Sequence, residues 1–284
     1  MKRSPETAFN EALPVEIAEA LDRARPRFGR LGTRFLYFPT IGSTNDAASS
    51  LAAGPDAEGV VVIADAQTAG RGRLGRTWFS PPASGLYVSV VLTPARALTD
   101  PARATTLLTL AAGVALAEAI ETVSGLGADL KWPNDLYVAR RKLGGILAEA
   151  VPTDAWGSGV PRELMNIVIG YGINVAPAAF PPELGDRATS LESELGRAID
   201  RVALLVETIA ALARRYTDLL GGQYDAILDA WRLRAPSSMG ARVAWTTPEG
   251  PHSGVTMGID GEGALLVRVG ERVERIVAGE LTWI

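Results

Sequence analysis

Apolar positions along the chain fall into two registers. In residues 11–25, Leu13, Ile17, Ala20 and Leu21 recur at helical spacing and predict a short amphipathic helix. The runs at 34–38 (RFLYF), 59–65 (GVVVIAD) and 85–92 (GLYVSVVL) have the texture of buried strands. Residues 44–54 (TNDAASSLAAG) read as a helix capped by Ser43 or Thr44 and stopped by Gly54. A long, largely apolar helix is expected over 102–123, and two more over 201–220 and 224–233. Short strands are expected at 129–132, 136–139, 145–151 and 166–175, followed by a proline-rich loop over 176–188. From about Pro236 the segments RVAWTT, HSGVTMGID, GALLVRV and RVERIVAG alternate apolar and polar residues between glycine turns, which predicts a small antiparallel barrel or sandwich. The expected organisation is an N-terminal extension (1–30), an α+β domain (31–235) and a β-rich domain (236–284).

Composition narrows the chemistry. The chain has 284 residues and no cysteine, which removes disulfides, thiolate metal sites and thiol nucleophiles together. Its one histidine, His252, argues against histidine-rich metal sites and against a Ser-His-Asp triad. A net charge of -4 offers no bulk field for nucleic acid. The first residues have no apolar export core, and no run is read as membrane-spanning, so a soluble cytoplasmic protein is expected. Among 28 basic residues only Lys2, Lys131 and Lys142 are lysines, and the last two share the segment KWPNDLYVARRK. A lysine kept in an arginine-using chain suggests a place for a compact ammonium.

Residues 66–84 are a long loop containing GRGRLG, a match to the G-x-G-x-x-G fingerprint. A dinucleotide turn needs a strand directly before and a helix directly after. Here four residues separate Asp65 from Gly70, Pro81 and Pro82 oppose a helix, and residues 66–99 contain no acid to hold a ribose. The reading is instead a glycine-hinged, cationic lid with no acidic partner, with Arg71, Arg73 and Arg76 suited to phosphate oxygens and Trp78 to a base; the alternatives are a solvated basic loop and a nucleic-acid patch.

Five segments, in order, then resemble the biotin–protein ligases: STND (43–46), QTAGRGRLGRTWFSP (67–81), KWPNDLYVARRKLGGILAE (131–149), IGYGINV (169–175) and GIDGEGALLV (258–267). The resemblance covers most of residues 34–284. It implies an α+β fold with a mixed-sheet catalytic domain of the biotin/lipoate ligase type and a C-terminal SH3-like barrel. The implied substrates are ATP and biotin, with Mg²⁺. The implied partner is the biotin carboxyl-carrier domain of biotin-dependent carboxylases, with this chain a monomer or homodimer and no nucleic acid or membrane involved. Biotin would be activated to biotinyl-5′-AMP and passed to a lysine. Such a reaction needs held partners and neutralised charge rather than an enzyme nucleophile.

The resemblance also implies roles. Ser43, Thr44 and Gln67 would bind the ureido ring, with Gly70, Arg71, Lys142 and Gly144 completing the biotin site. Arg73, Arg76, Trp78, Lys131, Asn134 and Asn174 would bind the nucleotide, the two asparagines at the adenine edge. Lys142, Arg71, Arg73, Lys131 and Asp135 would carry catalysis, Lys142 foremost. Asp135 would either hold Mg²⁺ or orient the incoming lysine. Gly170 and Gly172 would leave a strand face bare for ligand, and Gly144 and Gly145 would serve close packing. Each feature also has a plainer reading: Ser43 or Thr44 as a helix cap, Gln67 as a loop polar, Trp78 as a core anchor, Asn134 as a turn residue. About thirty residues precede the first strand, too few for the winged-helix domain of repressor forms, so an enzyme without operator binding is expected. The chain ends in GELTWI, with no basic residue after Glu280 to supply a C-terminal cation. Competing functions are a lipoate–protein ligase, a non-catalytic biotin-binding protein and an RNA-binding protein.

The lid reading is testable directly. Trypsin is expected to cut after Arg71, Arg73 or Arg76 and to be slowed by biotin plus ATP; equal cleavage rates would reject a ligand-closed lid.

Overall fold

The computed structural model describes residues 11–54, 56–151, 165–247 and 250–284. The stretch 155–163, which reads as an insertion in the sequence, lies outside the described residues. The first sheet has seven strands: β1 (Arg34–Phe38), β2 (Val60–Ala64), β3 (Gly85–Leu92), β4 (Asp129–Lys131), β5 (Asp135–Val138), β6 (Arg141–Val151) and β7 (Asn166–Asn174). Their order across the sheet is β1-β2-β3-β7-β6-β5-β4. Only β1 and β2 run parallel; the other pairings are antiparallel, so the sheet is mixed.

The central strands β3 and β7 are buried along their whole length, which is why both read as continuous apolar runs rather than alternating ones. Their two faces meet different partners. Val88, Val90, Ile167 and Ile169 join the main core, formed with α3 (Pro101–Ser124), α5 (Arg201–Leu220) and α6 (Tyr224–Arg234). Val91 and Val168 face the other way and, with Val60 and Val62, pack under Ala48 and Ala52 of α2 (Thr44–Ala52). α1 (Val15–Ala24) packs on α5, and the five-residue α4 (Leu191–Leu195), unforeseen in the sequence, is capped by Ser190.

α3 is held at both ends. The Asp100 side chain accepts from Arg103 N, Pro101 opens the helix, and Gly125 closes it at φ 75°. Contrary to the reading that no run reaches such a length, α3 is long and apolar enough by composition to cross a membrane. In the fold, 67% of that stretch is buried inside the protein.

Beyond α6, strands β8 (Met239–Thr247), β9 (Gly250–Ile259), β10 (Leu265–Val269), β11 (Arg272–Ile276) and β12 (Thr282–Trp283) form an antiparallel sheet of order β11-β10-β9-β8-β12. The sheet agrees with the SH3-like expectation but is not a closed barrel: β11 and β12 are its edges. Its inner residues Val243, Trp245, Ile259, Leu265 and Val267 belong to the same hydrophobic cluster as α3. The contact is close. Gly263 sits at φ +77°, where a Cβ would come within 2.8 Å of Leu110, and its carbonyl accepts from Trp132 Nε1 at 3.0 Å.

The α2 side of the sheet changes character along β7. Past Val168 the positions on that face are Gly170 and Gly172. A Cβ at Gly170 would lie 1.8 Å from Asn45 Oδ1, and one at Gly172 would lie 2.3 Å from Trp78 Nε1. Side chains from α2 and from the lid therefore pack against the bared strand, and both glycines also line a cavity there. Gly170→Ala is expected to destabilise the fold by about 1–3 kcal/mol, because buried Asn45 has nowhere to retreat. Urea unfolding checks this, and an unchanged midpoint would mean that Asn45 moves freely.

Candidate active site

A cavity of about 390 Å³ opens where α2 begins and the lid crosses the sheet. Its walls come from the N-terminus of α2, the lid, the β4–β6 hairpins, β7, the loop around Phe180 and Leu184, and Glu280 with Leu281 from the second sheet. Five cations line it (Arg71, Arg73, Arg76, Lys131, Lys142) against two carboxylates (Asp135, Glu280). In a chain of net charge -4 this is a local positive field, suited to a polyanion.

One corner is neutral and polar. Ser43 and Thr44 are buried in its wall. Ser43 stands at the N-cap position of α2, yet no side-chain hydrogen bond caps the helix from there. The cap comes from the lid: Gln67 Oε1 accepts from Thr44 N at 2.8 Å and lies 3.1 Å from Thr44 Oγ1, while Gln67 Nε2 donates to Ser80 Oγ at 2.9 Å. Behind Thr44 a buried chain of polar groups continues. Ser89 Oγ is 2.8 Å from Thr44 Oγ1 and 2.6 Å from Asn45 Oδ1; Asn45 Nδ2 donates to Glu149 Oε2 at 2.7 Å. A hydroxyl has one proton, and the count closes when Ser89 gives its proton to Asn45 and Thr44 turns toward Ser89. Asn45, Ser89 and Glu149 were not singled out in the sequence. The signal for Ser89 was present, as a lone hydroxyl within an otherwise apolar strand.

The lid is better ordered than its sequence suggests. Gln67 bridges to Ser80 and Arg71 to Thr77, with Gly70 O accepting from Trp78 N, so it is a narrow hairpin. Its tip, Arg73–Gly75, carries exposed Leu74 at φ 57°. The expectation of arginines without acidic partners is corrected, because the partners come from elsewhere in the chain. Arg71 reaches Asp46 Oδ1 and Glu149 Oε2, both at 2.7 Å. Arg76 pairs with Glu280 at 2.6 Å. Arg73 donates to Asn134 Oδ1 at 2.8 Å and to Gly279 O at 3.2 Å. Burial pushes the Arg73 guanidinium below its ordinary value, against the opposing pull of Asp135 and Glu280. The Arg71 and Arg76 side chains are 40% and 64% exposed, so their pairs are worth about 0–1 kcal/mol each and a phosphate can take them over at little cost.

Lys142 enters the site through an irregularity. β5 and β6 pair Leu136 with Gly144 but Tyr137 with Lys142, leaving Leu143 extra. Strict alternation would put Lys142 and Gly145 on opposite faces. The bulge buries Leu143 in the core and turns Lys142 toward Asp135. Lys142 Nζ lies 2.7 Å from Asp135 Oδ1, a close ion pair. The Lys142 ammonium is also 5.6 Å from the Trp78 ring centre. Lys131, opposite Asp135 in the β4–β5 pairing, is pushed below an ordinary lysine by burial; Asp135 pulls it up and Lys142 pushes it further down.

The other residues expected at the site divide. Trp78 lies against Gly172 with its buried Nε1 unpartnered, a donor aimed at no protein group. Both ends of the Asn134 carboxamide are engaged, by Arg73 and by Ile146 O at 2.7 Å. Asn174 Nδ2 donates to Thr189 O at 2.9 Å. Both asparagines line the cavity while bracing its walls. Gly70 and Gly144 stand behind the walls rather than in the lining: a Cβ at Gly70 would meet Trp78 O at 2.4 Å, and one at Gly144 would meet Gly172 O at 2.8 Å. Among the described residues no three acidic or histidine side chains converge as a metal cage. Asp135, a carboxylate in the cavity wall, fits the single carboxylate by which magnesium is often held alongside substrate phosphates.

Comparison with known proteins gives one family. The model of the biotin/lipoate A/B protein ligase family matches residues 37–174. The chain is 34% identical over 267 residues to the bifunctional ligase/repressor BirA of Bacillus subtilis, covering 92% of this chain and 78% of that protein. It is 34% identical to the biotin–[acetyl-CoA-carboxylase] ligase of Mycobacterium tuberculosis, covering 84% and 85% of the two chains. The structure of the biotin protein ligase of Aquifex aeolicus in complex with biotin and ATP superposes with a TM-score of 0.72 at 26% identity, over 89% of this chain and 99% of that one.

The buried polar chain makes a measurable claim. Ser89→Ala leaves Asn45 Oδ1 without a donor and is expected to cost about 1–3 kcal/mol in urea unfolding. A loss near zero would mean that the carboxamide finds another partner.

Proposed function

The chain belongs to the biotin protein ligases of the biotin/lipoate A/B family, and we propose that the lid-covered cavity is where it joins biotin to ATP and then to an acceptor lysine. The activity is that of a ligase: biotin is activated by ATP to biotinyl-5′-AMP and transferred to protein. The observation that carries the assignment of this cavity is its division of charge. A neutral polar corner at Ser43, Thr44 and Gln67 adjoins a wall of five cations across a sheet face bared by Gly170 and Gly172.

The first step brings a carboxylate against a triphosphate, and repulsion opposes it. Lys142 lies beside both lid and hairpin, where a compact ammonium lowers that repulsion as the biotin carboxylate oxygen attacks the α-phosphorus and pyrophosphate departs. Arg73, Arg76 and Lys131 are assigned to the phosphates and Arg71 to the carboxyl end of biotin. Trp78, with its free Nε1–H, is assigned to the nucleotide. Asn134 and Asn174 hold the adenine side mainly by fixing its walls. Magnesium, bound with the triphosphate at Asp135, would supply further charge neutralisation. In the second step the acceptor amine attacks the activated carbonyl and AMP leaves; Lys142 stabilises the charge that builds on the carbonyl oxygen. Because Lys142 and Asp135 are in contact, each step changes the partner of the other.

The acceptor is assigned as the carrier domain of a biotin-dependent carboxylase, and the site of action as the cytoplasm, where ATP and the carboxylases meet. The acidic net charge supports a ligase without operator binding, although relatives include ligase/repressors.

A transfer assay tests the reading. Protein, ATP and Mg²⁺ are mixed with equal biotin and lipoate and an unmodified biotin carboxyl-carrier domain, and the acceptor mass is read. A biotin adduct formed over many turnovers, reduced at least about a hundredfold by Lys142→Ala, is expected. A lipoyl adduct would move the protein to the other branch of the family, and a bare acceptor with biotin still bound would make it a binder.

A further inference from the structure

The C-terminal sheet reaches into the cavity through one short segment. Gly279 O accepts from Arg73, Glu280 pairs with Arg76, and Leu281 lines the wall. Two residues further on, Trp283 is fixed by its pairing with Val243 in β8 and by Ile284 N donating to Arg242 O at 3.1 Å. Its indole meets three residues of the β4–β6 hairpins. Lys131 Nζ is 4.4 Å from its ring centre and Arg140 Cζ 5.0 Å, and Tyr137 packs edge-on at 4.8 Å with 70° between the planes. Tyr137 adds a second ring 5.1 Å from the same lysine nitrogen.

This arrangement answers a problem in the site. Lys131 is largely buried, next to a second lysine, and shares Asp135 with it. A desolvated ammonium needs compensation, and the negative faces of two aromatic rings supply it without the mobility of a surface ion pair. The same indole braces a costly turn. Ala139 and Arg140 join β5 to β6 in a two-residue loop with φ of 47° and 63°, left-handed values that normally favour Asn-Gly. Arg140 stacks on Trp283, and Lys142 follows two residues later. The sheet therefore touches the hairpin on both sides of the carboxylate that the lysines share.

We propose that Trp283 is a positioning residue for the adenylation step. It holds the Lys131 ammonium against the phosphate side of the cavity and so makes the C-terminal sheet part of the ATP site. This inference rests on the assignment of Lys131 to the phosphates.

The test compares Trp283→Phe, which keeps a π face, with Trp283→Leu, which keeps apolar bulk only. Trp283→Leu is expected to raise the KM for ATP about three- to tenfold. The KM for biotin should stay within about twofold, and transfer from preformed biotinyl-5′-AMP should be unchanged, since only the phosphate side loses its support. Trp283→Phe is expected to stay near wild type. In a Lys131→Met background, Trp283→Leu should have no further effect on the KM for ATP. Equal losses for ATP and biotin, or the same loss in the Lys131→Met background, would overturn the proposal. A second measurement does not need activity. With three lysines in the chain, a ¹³C,¹⁵N-lysine-labelled sample resolves each side chain. The ring-current shift of Lys131 should shrink in Trp283→Leu to the part that Tyr137 supplies, while Lys142, beside Trp78, keeps its own. Lys131 resonances that do not move would also overturn the proposal. If wild-type protein forms no biotinyl-5′-AMP, the functional assignment fails, while the lysine spectra still decide the Trp283 contact.

Discussion

The site depends on one stretch of one strand having no side chains. On the α2 face of β7, valine gives way to Gly170 and Gly172, and each glycine admits a specific neighbour. Gly170 lets Asn45 reach the sheet, and Gly172 lets the Trp78 indole press against it. Asn45 anchors the buried chain that joins Glu149, Ser89 and Thr44 to Gln67, which in turn caps α2 and ties down the base of the lid. Trp78 anchors the other side of the same hairpin. A methyl group at either glycine would break the link between the central sheet and the segment that covers the cavity.

Around that rigid base the charges are held loosely. The arginines of the lid rest on carboxylates at the rim, in exposed pairs of little net worth, while Lys131 and Arg73 are held deeper and lose solvation. The difference has a functional logic. Exposed pairs can exchange a protein carboxylate for a phosphate or carboxylate of the substrate, and buried cations keep their place while that happens. In a chain of net negative charge, the positive field exists only where folding gathers it.

Much of this was legible in the sequence, for definite reasons. β1 and β3 were read to the residue because apolar runs bounded by glycine and proline leave little choice. The lid and lysine segments were recognisable because their residue types are dictated by the substrates they resemble sites for. Other features could not be read. Strict alternation places Lys142 away from Asp135, and only the bulge in β6 turns it back. Capping of α2 by Gln67, 23 positions away, overrides the local preference for Ser43. Glu149, Asp46 and Glu280 become partners of the lid through long-range pairing, which local pattern does not encode. The aromatic contact of Trp283 with Lys131 spans two sheets and has no sequence signature.

The ion pair between Lys142 and Asp135 has one more consequence, for what the enzyme does not modify. The activated carbonyl of biotinyl-5′-AMP reacts with amines, and an enzyme that holds it is exposed to its own product. An ammonium in contact with a carboxylate has no lone pair to offer, so Lys142, if it stands at the reactive carbon as proposed, is a poor competitor for the acceptor. With no cysteine and almost all its positive charge on guanidinium groups, the chain contains few other nucleophiles. Selectivity for a foreign lysine thus begins with the scarcity and engagement of the protein's own.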